Sequence, residues 1–193
     1  MKQRYSLLLW GFIVLLFVQC AKRGNPTGGP KDETPPVLLR ADPELNTTHF
    51  NEERIRLYFD EYVKLNKLKD QLIVSPPLDP AAYIISPQSS AAKYVQIELM
   101  DTLRPNTTYN FNFGQSIVDN NEGNPYPYFR YVFSTGDYVD SLQVRGTIGN
   151  AFGRETKNFV SVMLYAVDST YNDSIIYQQP PDYLTNIGQF GGL

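Results

Sequence analysis

The chain has 193 residues, of which 42% are hydrophobic and 19% charged, with a formal net charge of -3. That is room for one ordinary domain and part of a second, and the slightly acidic balance offers no basic stripe to track a phosphate backbone, so nucleic acid is excluded as a partner. One cysteine (Cys20) and one histidine (His49) rule out a disulfide within the chain and a Cys/His zinc site.

Residues 1–20 have the layout of an export signal. Lys2 and Arg4 are followed by twelve unbroken apolar residues, Leu7 to Val18. As a helix these rise about 18 Å, short of a bilayer core of roughly 30 Å, which fits a signal-peptide core better than a permanent span. Leu16-Phe17-Val18-Gln19-Cys20 resembles a bacterial lipobox, and the resemblance makes Cys20 the site of lipidation and residues 1–19 a lipoprotein signal peptide. The alternatives are an uncleaved anchor, or a signal that ends elsewhere with Cys20 incidental. Acyl chains contribute about 0.8 kcal/mol per buried CH₂, enough for a triacylated cysteine to stay on a membrane. Residues 20–35, rich in Gly, Pro and charge, read as a flexible tether.

Fourteen Tyr, 11 Phe, 14 Pro and 13 Gly describe short strands and frequent turns, an all-β composition. Over residues 36–137 the predicted strands are Val37–Ala41, Arg54–Phe59, Gln71–Ser75, Ala82–Ile85, Tyr94–Leu99, Thr108–Phe113 and Arg130–Ser134, with one helical turn near Leu65–Asp70. Alternation places Ile55, Leu57 and Phe59 inward on one strand and Val95, Ile97 and Leu99 inward on another. Tyr109, Phe111 and Phe113 share a face between two asparagines. Asp42-Pro43, Ser75-Pro76-Pro77, Asp79-Pro80 and Arg104-Pro105-Asn106 are turn chemistry. About seven short strands in roughly 100 residues are the pattern of an Ig-like antiparallel β-sandwich.

The motifs add a family resemblance. Pro36-Val37, Asp42-Pro43 and the run Ile55–Val63 look like the opening of bacterial Ig-like domains of the S-layer-protein type. Leu103-Arg104-Pro105-Asn106-Thr107-Thr108-Tyr109, the loop Asp119–Pro125, and Tyr131-Val132-Phe133-Ser134-Thr135-Gly136 resemble that family's later signatures. Tyr109 is placed as a tyrosine corner, its hydroxyl bonding back to upstream backbone. The segment Pro26–Asp32 resembles Ig-like lipoproteins of Bacteroidota, which implies a location and no reaction.

Residues 138–193 open a second β domain. Leu142–Ile148, with its Gly146-Thr147 pair, resembles the first strand of transthyretin-like or carboxypeptidase-regulatory-like domains. Val160–Val167 reads as the next strand, Ile175–Tyr177 as a third, and Gly188-Gln189-Phe190 as the start of another. Some 55 residues do not bury a full core, so this unit is expected to be truncated.

No catalytic residue, metal site or cofactor is predicted. His49 lies in a polar loop with no acid or nucleophile marked out beside it. Glu52/Glu53 flank a turn and Asp60/Glu61 end a strand, so both pairs read as solvated charge. Asp119–Gly123 carries oxygen ligands but lacks the EF-hand pattern, with Arg130 where the bidentate Glu would fall, and reads as a structural turn. Thr102, Ser141, Ser169 and Ser174 each follow an aspartate, in a motif that resembles the O-glycosylation acceptor of exported Bacteroidota proteins. Tyr126, Tyr128, Tyr138, Tyr171 and Tyr177 lie in or beside turns, where a ring offers a stacking face.

The functional expectation is a non-catalytic lipoprotein of the bacterial outer membrane, held through a lipid anchor and contacting envelope proteins or glycans. Ala21-Lys22-Arg23-Gly24 is basic, which by the same resemblance favours the periplasmic face. A surface glycan-binding or adhesion protein is the alternative, and an accessory region of a longer envelope enzyme the second.

Overall fold

A computed structural model describes residues 29–141, 146, 160–167 and 171–186. Among the described residues ten strands follow one another: β1 (Leu38–Asp42), β2 (Arg54–Leu65), β3 (Ile73–Ser75), β4 (Tyr83–Ser86), β5 (Ala92–Leu99), β6 (Thr108–Gly114), β7 (Ile117–Asp119), β8 (Phe129–Ser134), β9 (Ser161–Leu164) and β10 (Tyr183–Asn186). Sheet 1 has the order β1-β2-β5-β4, with β7 on the second half of β2; sheet 2 is β3-β6-β8; β9 and β10 form a two-stranded ribbon. Every pairing is antiparallel, and the fold is an all-β, Ig-like sandwich.

The two-residue period of the sequence builds the core. Ile55, Leu57 and Phe59 of β2 and Val95, Ile97 and Leu99 of β5 point inward from sheet 1. Tyr109, Phe111 and Phe113 of β6 and Tyr131 and Phe133 of β8 meet them from sheet 2. Each such side chain contributes about 1.5–3 kcal/mol by leaving water, and well-placed ring pairs add about 0.5–1.5 kcal/mol. Phe133 is the hub: its ring centroid lies 4.1 Å from Phe50, 5.6 Å from Tyr109, 5.9 Å from Tyr131 and 6.3 Å from Phe111.

Connectivity gives the sandwich two distinct poles. The chain comes in at Asp32–Val37, where the Val37 N–H donates to Asp60 Oδ1 (2.8 Å). It leaves at the opposite end, where β8 finishes at Ser134 beside the start of β6 at Thr108. Between β1 and β2 the chain crosses to sheet 2: Asn46 N–H donates to Val132 O, Phe50 N–H to Ser134 O, and Ser134 N–H to Thr47 O. These bonds cover the outer edge of β8, an edge that would otherwise be open to another strand. On the other side of sheet 2, β10 lies against β3, and the Leu184 N–H donates to Ser75 Oγ (3.2 Å).

Several predicted elements change. β2 does not stop at Phe59; it continues through Asp60 and Glu61, so this acidic pair lies within a strand rather than at its end. The register shifts between Tyr58 and Val63, which breaks the alternation and makes the acidic pair look like the end of the strand. Beyond the shift Val63 pairs with Asp119 of β7, a fully buried three-residue strand with no alternation to read. The helical turn falls at Leu68–Gln71 (α1). Ile175–Tyr177 is a 3₁₀ turn and not a strand. Asn172 starts it by accepting the Ser174 N–H at its side chain (2.9 Å) and the Ile175 N–H at its carbonyl. The partner of β9 is instead β10, in the register Tyr183↔Leu164 to Asn186↔Ser161. The strand predicted at Leu142–Ile148 (Gly146 aside), the motif Gly188–Phe190, and the whole of residues 1–28 lie outside the described residues.

Candidate functional site

At the C-terminal pole a cavity of about 520 Å³ is lined by Phe50–Glu53, Leu99–Leu103, Pro105 and Thr135. Its floor is apolar, from Phe50 and Leu99, and its rim carries the carboxylates of Glu52, Glu53 and Asp101. Thr102 stands exposed on that rim, with its N–H donating to Asp101 Oδ1 (2.7 Å).

The wall of this cavity is a loop locked from two strands. The Tyr109 hydroxyl accepts from the Arg104 N–H (2.9 Å). Thr135 Oγ1 accepts from the Thr107 N–H (3.0 Å) and donates to Arg104 O (2.7 Å). Gly136 closes the lock by proximity: a Cβ there would sit 3.0 Å from Asn106 Cα and 3.2 Å from its Oδ1. Tyr109→Phe removes one acceptor from the Arg104 amide and keeps the buried ring. The expected loss is about 0.5–1.5 kcal/mol in denaturant unfolding, with the slope of the transition unchanged.

A second clamp is at Tyr131, which the closing motif places in a strand without marking a role for its hydroxyl. Its hydroxyl donates to Pro43 O (2.9 Å) and approaches Glu44 O (3.4 Å), tying β8 to the turn after β1. Burial, and then the charge of Asp42, raise its pKa well above the ordinary phenol value. Its hydroxyl contact spans 88 residues of sequence, beyond the reach of a local motif.

The N-terminal pole is built around Asp119, which is 1% exposed. Its Oδ1 accepts the N–H groups of Glu122 (2.7 Å) and Gly123 (3.0 Å), and its Oδ2 that of Asn124 (2.6 Å). Burial alone would raise this carboxyl's pKa. The backbone N–H groups of Gly123, Asn124, Glu122 and Asn121 outweigh burial and hold it below the ordinary value. Gly123 has φ +82°, a left-handed conformation that glycine adopts without strain. The Asn124 side chain then donates to Asp32 O (3.0 Å) and Thr34 O (3.3 Å), fastening the incoming chain. Nearby Glu61 is pushed above its ordinary pKa by burial and then by the charges of Asp119, Asp60, Asp32 and Glu122.

The remaining sequence candidates are scattered. His49 does have an acid beside it, contrary to the sequence expectation: its Nδ1 lies 3.6 Å from Asp137 Oδ1, both side chains being largely exposed. This contact is ionic only when the histidine is protonated. Ser141 and Ser174 are exposed, while Ser169 and Cys20 lie outside the described residues. Tyr126 is not a free loop ring, because it packs against Phe59 (5.8 Å) and Phe129 (5.5 Å). Tyr128, Tyr138, Tyr171 and Tyr177 are exposed. Among the described residues no group of three or more His, Cys, Asp or Glu is placed to hold a metal ion, and no helix is long and apolar enough to cross a membrane.

The sequence pattern of one domain type matches residues 32–135, just over half of the chain, a span that takes in the Tyr109 lock and the Asp119 loop. The chain belongs to the bacterial Ig-like domain family. No curated protein matches it. An Ig-like domain of this family is a non-catalytic interaction module, and each signature has a mechanical reason here. The Leu103–Tyr109 and Phe133–Gly136 motifs lock one pole of the Ig-like domain, and Asp119–Pro125 locks the other.

Proposed function

We propose that this protein is a non-catalytic lipoprotein of the bacterial outer membrane, with lipid on Cys20, whose Ig-like domain holds a structural or adaptor contact in the cell envelope. The single observation that carries the reading is the order of parts in the chain. A short apolar signal ends at the lone cysteine, and an Ig-like domain follows after a polar tether. The polarity of the sandwich supports it. The tether side is fastened by Asn124 and Asp60, and the chain leaves from the opposite pole. The basic residues next to Cys20 favour the periplasmic face.

Membrane fractionation of the wild type beside Cys20→Ala tests this reading. The wild type is expected in the outer-membrane fraction, with the mass of a diacylglyceryl group on its N-terminal peptide. Cys20→Ala is expected to be soluble or to persist as an uncleaved precursor. Identical behaviour of the two proteins would overturn the lipid anchor and leave the Ig-like module unaffected.

A further inference from the structure

Two segments meet at the C-terminal pole to form the cavity there, Phe50–Glu53 ahead of β2 and Leu99–Leu103 at the end of β5. They are stitched where they cross, the Leu99 N–H donating to Glu53 O (2.8 Å). The strand alternation that buries Leu99 ends at that point, and the next side chain, Met100, is 59% exposed. With Phe50 and Leu99 on the floor and half-buried Leu103 on the wall, Met100 completes an apolar lining. At about 520 Å³ the space falls within the roughly 300–1,000 Å³ of ordinary ligand sites.

The charge on this lining is unanswered. Glu52, Glu53 and Asp101 belong to it, and no Lys, Arg or His does. Among the described residues the ion pairs are Arg40–Asp42, His49–Asp137 and Arg54–Glu98, none of which uses a rim carboxylate. Arg54, next to Glu53 in the chain, is thus held elsewhere, and Arg104, next to Leu103, is within ion-pair distance of none of the three. The outer face of sheet 1 is the opposite case. Arg40, Tyr58 and Tyr94 form a row across β1, β2 and β5, but Arg40 lies over the Tyr58 ring (3.7 Å) and pairs with Asp42 (4.0 Å). At the cavity the carboxylates do not converge as metal ligands do. They suit several positive charges set apart, with apolar matter between them.

We infer that this cavity binds a basic segment of a partner protein, with an apolar side chain on the Phe50–Leu99 floor and lysine or arginine side chains against Glu52, Glu53 and Asp101. Taking the apolar side chain out of water supplies affinity, while the carboxylates speed encounter and select the partner. The Met100 thioether is flexible enough to follow the shape of what enters. The wall at Leu103–Pro105 is already locked by the Tyr109 and Thr135 hydroxyls, so binding does not have to order it. The inference rests on the adaptor reading, whose partner it describes. It fails separately from the lipid anchor, because loss of Cys20 leaves the cavity unchanged.

Fluorescence anisotropy of the full chain in detergent, with a labelled synthetic peptide that carries lysines on both sides of a leucine, tests the inference. Saturable binding is expected, weaker as salt rises, and none to the same peptide with glutamate in place of lysine. Glu53→Gln and Asp101→Asn are each expected to weaken binding about threefold to fivefold, and Met100→Ser about fivefold. Glu122→Gln, at the other pole, is expected to leave affinity unchanged, and the unfolding midpoint of each variant reports that the fold is intact. Absence of binding, affinity unchanged in all three cavity variants, or equal weakening by Glu122→Gln would each overturn the inference. A peptide with serine in place of leucine that binds as tightly would also overturn it, in favour of a plain polycation such as a polyamine.

Discussion

Replacing Phe133 with alanine is expected to cost about 3–5 kcal/mol, the largest loss from any single core position of this domain. The ring is fully buried, and four other aromatic rings are packed on it, from β6, from β8 itself and from the crossing segment at Phe50. Removing it leaves a cavity that these rings cannot fill together, because Tyr109 and Tyr131 are each held by a hydroxyl contact to backbone elsewhere. With about 4 °C or more of melting temperature per kcal/mol for a domain of this size, the midpoint should fall by more than about 12 °C. Phe133→Leu, which keeps most of the volume, is expected to cost about 1.5 kcal/mol or less. Thermal unfolding of the three proteins side by side checks both numbers, and equal midpoints for wild type and Phe133→Ala would show that the cluster is not the core.

Asp119→Ala is expected to be the second most damaging change, at about 2–4 kcal/mol. It strips a charged acceptor from three backbone amides at once, each worth about 1–3 kcal/mol where water does not replace it. It also frees Asn124, so hydrogen exchange should rise at residues 32–37 as well as in the loop itself. The acid limb of stability separates charge from geometry. The folded carboxyl titrates below its ordinary value near 3.8, so the unfolded chain binds the proton first. The contribution of Asp119 is therefore complete above the ordinary carboxylate pKa and is lost as pH falls through the lower folded value. Asp119→Asn, which keeps one oxygen acceptor, should be destabilised near neutral pH by less than Asp119→Ala and should show a shallower acid limb than wild type. An acid limb of unchanged slope in Asp119→Asn would mean that the charge contributes nothing.

Much of the sandwich is legible in the sequence where one face is buried and the other wet. The β5 run Tyr94-Val95-Gln96-Ile97-Glu98-Leu99 alternates cleanly because its odd members enter the core and its even members face solvent. The reading fails where that condition fails. β7 is buried on both sides of its three residues, so Ile117-Val118-Asp119 shows no period. At Ile175–Tyr177 three β-prone residues follow Asn172, whose side chain competes for the local amides and turns the chain instead. The lock at Tyr109 lies within five residues of its partner and has a motif, whereas the Tyr131 clamp and the Arg40-Tyr58-Tyr94 row join strands far apart in sequence. Stacking tyrosines are predicted in turns, because turns are where exposure is easy to read from a sequence. The row on sheet 1 was hidden inside ordinary strand alternation, and only register across three strands reveals it.

Opposite poles for arrival and departure also decide how this domain carries load. Tension applied between Asp32 and Asp137 runs along β1 and β8, whose outer ends lie at those two poles. The ladder hydrogen bonds stand perpendicular to that line, so β1 slides against β2 and β8 against β6 with all their bonds stretched at the same time. A hairpin pulled from one end would instead lose its bonds one after another. The crossing segment Asn46–Phe50 adds a further set of backbone bonds to β8 in the same orientation. The domain is thus wired as a strut that holds its length under a steady pull, with the Asn124 and Thr135 locks acting as its two end fittings.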